Sequence, residues 1–104
     1  MKRGKNTDAP VSEKTLERWV VKAVEKRGGR ALKWVSWIFT GMPDRVCLLP
    51  GARCLFAELK TTGEQLSHRQ KLVIRWLESL GFEVHVIDGQ ATFDQFEKAL
   101  DHGL

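Results

Sequence analysis

DRVCLLPGARCLFAELK, residues 44–60, is the stretch on which the fold turns. Residues 44–49 (DRVCLL) and 52–60 (ARCLFAELK) are both apolar and β-prone, and Pro50-Gly51 between them is a turn signal. The stretch therefore predicts an antiparallel hairpin. Alternation along a strand puts Glu58 and Lys60 on one face, at the end that lies beside Asp44. If Asp44 faces Glu58 directly, paired residue numbers sum to 102, so 48 faces 54 and the loop is Pro50-Gly51-Ala52. Cys47 and Cys54 then lie on opposite faces. A register summing to 101 instead sets the cysteines opposite each other and turns Asp44 away from Glu58, unless a bulge near Asp44 reconciles the two.

Outward from the hairpin, other periods appear. Leu16, Trp19, Val20, Ala23 and Val24 recur at spacings of three and four, which predicts an amphipathic helix from Ser12 to the stop at Gly28-Gly29. Residues 31–39 (ALKWVSWIF) are β-branched and aromatic and predict a strand, broken by Thr40-Gly41-Met42-Pro43. Within such a strand Trp34 and Trp37 face opposite sides; one is within reach of a nucleic-acid base, although burial in a core or dimer is the more ordinary use. After a polar loop with Gly63, Ser67 and Gln70 have capping-box spacing and open a helix bearing Leu72, Val73, Trp76, Leu77 and Leu80 as far as Gly81. Residues 82–88 (FEVHVID) predict a fourth strand, and Thr92 with Gln95 predicts a second capping box opening a final helix with Phe93, Phe96 and Leu100. The order is α-β-β-β-α-β-α. Three strands followed by a strand-helix-strand crossover imply an α/β domain, a mixed β-sheet flanked by helices.

At 104 residues and 11.9 kDa the chain is one domain, residues 1–104, with residues 1–10 read as a flexible basic arm. Its 42% hydrophobic content supports a core and excludes wholesale disorder. A net charge of +4 and a pI near 9.3 suit a polyanionic partner such as nucleic acid. Two cysteines without C-x-x-C spacing make neither a secreted disulfide framework nor a zinc clip, and His68, His85 and His102 are too scattered for a metal site. The basic start is followed by no apolar signal core, and no segment has the length of a membrane span. The expectation is an intracellular, cytoplasmic protein with no membrane partner.

Asp44, Glu58 and Lys60 carry the chemistry. Two neighbouring carboxylates repel, a lysine only partly relieves them, and a hard cation resolves the conflict. Mg²⁺ suits such a site, because it keeps several waters and needs few protein oxygens. There it would polarise a phosphoryl oxygen and acidify an attacking water, which Lys60 could orient. Arg69, Lys71 and Arg75 on the later helix, with Arg45 and Arg53 in the hairpin, are candidate phosphate contacts or simply a solvated basic face.

Gly41-Met42-Pro43-Asp44-Arg45, Glu58-Leu59-Lys60 and Leu66-Ser67 with Gln70 together resemble the VRR-NUC family of the PD-(D/E)XK nuclease superfamily. The likeness runs from about Glu13 to Ile87 and includes Gly28-Gly29, Lys33 and Gly81-Phe82-Glu83-Val84. It implies a restriction-endonuclease-like fold in which Asp44, Glu58 and the backbone carbonyl of Leu59 hold Mg²⁺ or Mn²⁺, with Lys60 as the catalytic lysine. Gln70 would support the site, and so would an acid on the first helix, Glu13 or else Glu17 one turn on. Lys33, Arg45 and Arg69 are the candidate nucleic-acid contacts by charge and position, each equally readable as a solvated residue. The small standalone members that this chain resembles, often phage-encoded, are homodimers associated with branched DNA such as four-way junctions. The expected function is thus a metal-dependent DNA endonuclease. The alternative is an inactive nucleic-acid-binding module of the same fold.

Overall fold

The computed structural model describes residues 10–102, in the order α1 (Glu13–Lys26), β1 (Arg30–Lys33), β2 (Arg45–Leu49), β3 (Arg53–Leu59), α2 (His68–Ser79), β4 (Glu83–Ile87) and α3 (Gln90–His102). The first nine residues of the expected basic arm lie outside this range. The strands form one sheet in the order β1-β2-β3-β4, antiparallel except for the parallel β3–β4 pair that the α2 crossover requires. The β2–β3 register pairs Arg45 with Ala57 and Leu48 with Cys54, which is the sum of 102.

That register divides the side chains of β3 between two cores. Leu55, Ala57 and Leu59 join the larger one, where Leu16, Val20 and Val24 of α1 and Phe93, Phe96 and Leu100 of α3 cover the sheet. Phe56 faces the other way and packs with Val73 and Leu77 of α2. Both cysteines are free: Cys47 lies in the first core, Cys54 beside the second.

Local signals explain most boundaries. The Ser12 hydroxyl caps α1 by accepting from the Thr15 amide at 3.1 Å, and Ser67 and Gln70 form the complete reciprocal box at the start of α2. At the exit of α1, Gly29 runs so close to β2 that a Cβ there would be driven into the Leu48 carbonyl oxygen. Arg53, a phosphate candidate by sequence, instead donates to the carbonyls of Ala99 and Leu100 at 2.9 and 2.8 Å and caps the last turn of α3.

Two expectations need correcting. The strand expected over residues 31–39 ends at Lys33, so Trp34 and Trp37 do not alternate across a sheet. The Trp34 amide still donates to the Asp44 carbonyl at 2.9 Å, but the chain then turns, with the Phe39 amide donating to the Ser36 hydroxyl at 3.0 Å. Trp34 and Trp37 are both exposed. The final helix starts at Gln90, two residues before the expected Thr92 cap. Thr92 lies within its first turn and reaches back to accept from the Asp88 and Gly89 amides at 2.9 and 3.2 Å, which replaces the expected box with Gln95.

Candidate active site

Asp44 immediately precedes β2, Glu58 is the penultimate residue of β3 and Lys60 follows that strand, so the register sets all three at one end of the sheet. Asp44 Oδ2 accepts from the Leu59 amide at 2.9 Å. Glu58 Oε2 accepts from Gln70 Nε2 at 3.0 Å and lies 3.6 Å from Lys60 Nζ. Gln70 thereby does two things at once. Its Oε1 accepts from the Ser67 amide at 2.9 Å, which leaves the NH₂ end to meet the carboxylate. The helix cap and the orientation of Glu58 are one hydrogen-bonded unit.

Glu58 is only 3% exposed, the one buried charged residue among those described. Burial first, and the Asp44 carboxylate second, push its pKa from 4.5 up to about 7, against the pull of Lys60. A carboxylate so placed gives up its proton less readily than an exposed one, and a positive charge brought beside it favours the ionised form.

Pro43 completes the arrangement. The Lys60 amide donates to the Ile87 carbonyl, so Glu58 and Lys60 turn their peptide groups toward β4 and Leu59 turns its own toward the β2 side. Continuing the register places Pro43 opposite Leu59. Proline has no N–H, so the Leu59 carbonyl meets no ladder donor there, and the Leu59 amide goes to the Asp44 carboxylate. Two carboxylates and an undonated carbonyl make an all-oxygen donor set that fits a hard divalent cation. Among the described residues no group of three or more His, Cys, Asp or Glu could hold a metal ion by itself.

The other expected residues are more dispersed. Glu17 pairs with Arg45 Nη2 at 2.5 Å, and Arg45 Nη1 donates to the Ala31 carbonyl at 3.1 Å. That guanidinium, expected to reach nucleic acid, is turned inward against α1, with its Nε buried and unpartnered. Glu13 is exposed in the first turn of α1, and no hydrogen bond or ion pair joins it to the cluster. Lys33 is exposed at the end of β1, paired with Arg45. Arg69 donates through Nε to the Thr40 carbonyl at 3.1 Å, and its guanidinium lies 4.9 Å from the Phe39 ring centroid. Sequence reasoning missed the ladder role of Pro43, although a proline facing a strand end was a readable signal. It also missed the Glu17–Arg45 pair, which no local spacing announces.

The chain as a whole has relatives among known proteins. The model of the VRR-NUC domain matches residues 3–91. The chain is 38% identical over 80 residues to the protein named Putative nuclease p44 of Acyrthosiphon pisum secondary endosymbiont phage 1, covering 77% of this chain and 86% of that one. A solved structure titled VRR_NUC domain superposes with a TM-score of 0.75, covering 88% of this chain and 97% of its own, at 22% identity. That last likeness speaks for the fold.

Proposed function

This chain belongs to the VRR-NUC domain family, a family of nucleases, and from that premise we propose that it is a metal-dependent DNA endonuclease selective for branched DNA such as four-way junctions. The observation that carries the reading is the convergence of Asp44, Glu58, Lys60 and Gln70 on one sheet end beside the undonated Leu59 carbonyl.

In this reading Asp44, Glu58 and the Leu59 carbonyl hold Mg²⁺ or Mn²⁺. The chemistry such an ion supplies when bound is charge neutralisation at the scissile phosphate and acidification of a water. The chain's own groups do the rest. The Leu59 amide fixes one oxygen of Asp44 and leaves the other available. Gln70 holds the Glu58 carboxylate in one rotamer, so its free oxygen points consistently. Lys60 orients the attacking water and steadies the negative charge that develops on the phosphate. Glu13 acts at a distance through water. Lys33 and Arg69 contact phosphates, whereas Arg45 works from within by holding Glu17.

One such centre attacks one phosphodiester at a time, so paired cuts need a homodimer with two centres at a fixed spacing. The compartment is the cytoplasm, in keeping with two free thiols. Among the described residues no helix is long and apolar enough to cross a membrane.

The test is cleavage of single-stranded, duplex, flap and four-way DNA with and without Mg²⁺ or Mn²⁺. Metal-dependent cutting that prefers the branched substrates is expected. Asp44→Asn should abolish it, because asparagine can still accept from the Leu59 amide but brings no charge to the cation. DNA binding without cutting under any metal would replace this reading with that of a binding module.

A further inference from the structure

The segment between β1 and β2 presents apolar side chains where a water-facing surface usually hides them. Val35, Trp37 and Ile38 are 70%, 91% and 96% exposed. Isolated exposed leucines are common, but two large apolar residues at the tip of a connection call for a partner. The connection is also held at both ends. On one side the Trp34 amide is bonded to the Asp44 carbonyl; on the other Phe39 packs on Trp76 at 5.5 Å and Arg69 holds the Thr40 carbonyl. Gly41 then passes α2 so closely that a Cβ would lie 2.8 Å from Arg69 Cγ. The Ser36 hydroxyl closes the tip onto the Phe39 amide. This is a braced projection, and its last residues run directly into Pro43 and Asp44.

Its surroundings state what kind of partner it fits. The loop, its strand and the helix beneath carry Arg30, Lys33, Arg69, Lys71 and Arg75 against one acid, Glu78 near the far end of the helix. Aromatic and apolar side chains set among cations, beside the proposed phosphodiester-cleaving site, match nucleic acid, whose phosphates the cations meet while the rings stack on bases. Beside the loop a cleft of about 360 Å³ is lined by Phe39, Arg69, Leu72, Val73 and Trp76, giving one base an aromatic and guanidinium lining. In continuous duplex every base face is already stacked. At a branch point it is not, and an apolar wedge meets its smallest resistance there.

We infer that the loop of residues 34–40 is a wedge that enters the open step at a DNA branch, Trp37 and Ile38 replacing the missing stacking neighbour and the Phe39–Trp76 cleft receiving a displaced base. The inference rests on the branched-DNA reading and supplies the physical source of that selectivity. The wedge touches bases, not the reacting phosphate, so it sets where the centre lands.

The experiment compares the full chain with Trp37→Ser/Ile38→Ser, two exposed positions whose replacement leaves both cores intact. Affinity for a four-way junction and for a linear duplex of equal length is measured in chelator, and the junction carries 2-aminopurine at the branch. The wild type should change the 2-aminopurine fluorescence, and the variant should not. The variant should lose about tenfold in junction affinity and little in duplex affinity. Equal losses on both substrates, or none on either, overturn the wedge. So does a variant that sediments as a monomer where the wild type is a dimer, because the loop would then be a contact between copies. A wild type without junction preference removes the branched-DNA reading itself; a preference that the variant keeps in full removes the wedge alone.

Discussion

Glu58 is a buried acid held by one amide and one ammonium group, and that environment has a measurable sign. Because its pKa in the folded protein is raised from 4.5 to about 7, the folded state keeps a proton that the unfolded chain has released between those values. Its contribution to stability is complete below the lower value and lost as pH rises through the upper one. Metal-free protein in chelator should therefore melt at a falling temperature between pH 5 and pH 8, the loss amounting to at most about 3 kcal/mol. Glu58→Gln should flatten this slope and abolish metal-dependent cleavage; an unchanged slope in the glutamine variant would assign the pH dependence to other groups. The thiols offer a second check. Burial pushes Cys47 up to about 12 and raises Cys54 less, so under native conditions a thiol reagent should modify Cys54 first, with both reacting in denaturant. A 47–54 disulfide would contradict the register. At this scale Glu58 and Lys60 were legible as one face because a strand has a period of two, and Asp44 joined them in one of the two registers that the Pro50-Gly51 turn allows, the one the structure takes. Arg45 was not, since its partner Glu17 lies 28 residues away on a helix whose placement no local pattern encodes.

Elements began and ended where capping chemistry was self-contained, as at Ser12 and at Ser67 with Gln70, and departed from expectation where a tertiary neighbour intervened. β1 stops because α2 captures the chain at Phe39, Thr40 and Gly41, drawing it out of the sheet; α3 starts early because the Asp88-Gly89 turn supplies its own bonds to Thr92. Gly41 is the sharpest probe of that capture. Its φ is +91°, and an added Cβ would also meet Val73 Cγ2 at 3.0 Å, so Gly41→Ala should destabilise by about 1–3 kcal/mol. Gly51 has φ +80°, but a methyl group there would find nothing within 4 Å, so Gly51→Ala should cost only about 1 kcal/mol. Denaturant melts of the two variants compare strain alone with strain plus collision. Equal losses would mean that the contact between Gly41 and α2 is soft.

For the whole molecule, the proposed homodimer predicts sedimentation at about twice 11.9 kDa at micromolar concentration. Dimers mixing wild-type with Lys60→Ala subunits should nick one strand of a four-way junction and not cut both; a strict monomer making paired cuts at full rate would exclude the arrangement. DNA affinity should also fall as salt rises, because each Lys or Arg that meets a phosphate releases counterions condensed on the DNA. The sequence by itself determined the α-β-β-β-α-β-α order, the hairpin about Pro50-Gly51 and the two registers open to it, of which one sets Asp44 against Glu58 and parts the cysteines; the structure takes that one. These follow from periods of two and 3.6, from turn residues and from the fact that one slip in register reverses every face. Only the tertiary structure decided that Arg53 caps α3, that Arg45 is held by Glu17, that Gln70 links a helix cap to Glu58, and that Trp37 stands in solvent. Spacing says which side chains share a face, but not which surface covers that face. That depends on how helices settle on the sheet, a balance of contacts between segments far apart in the chain.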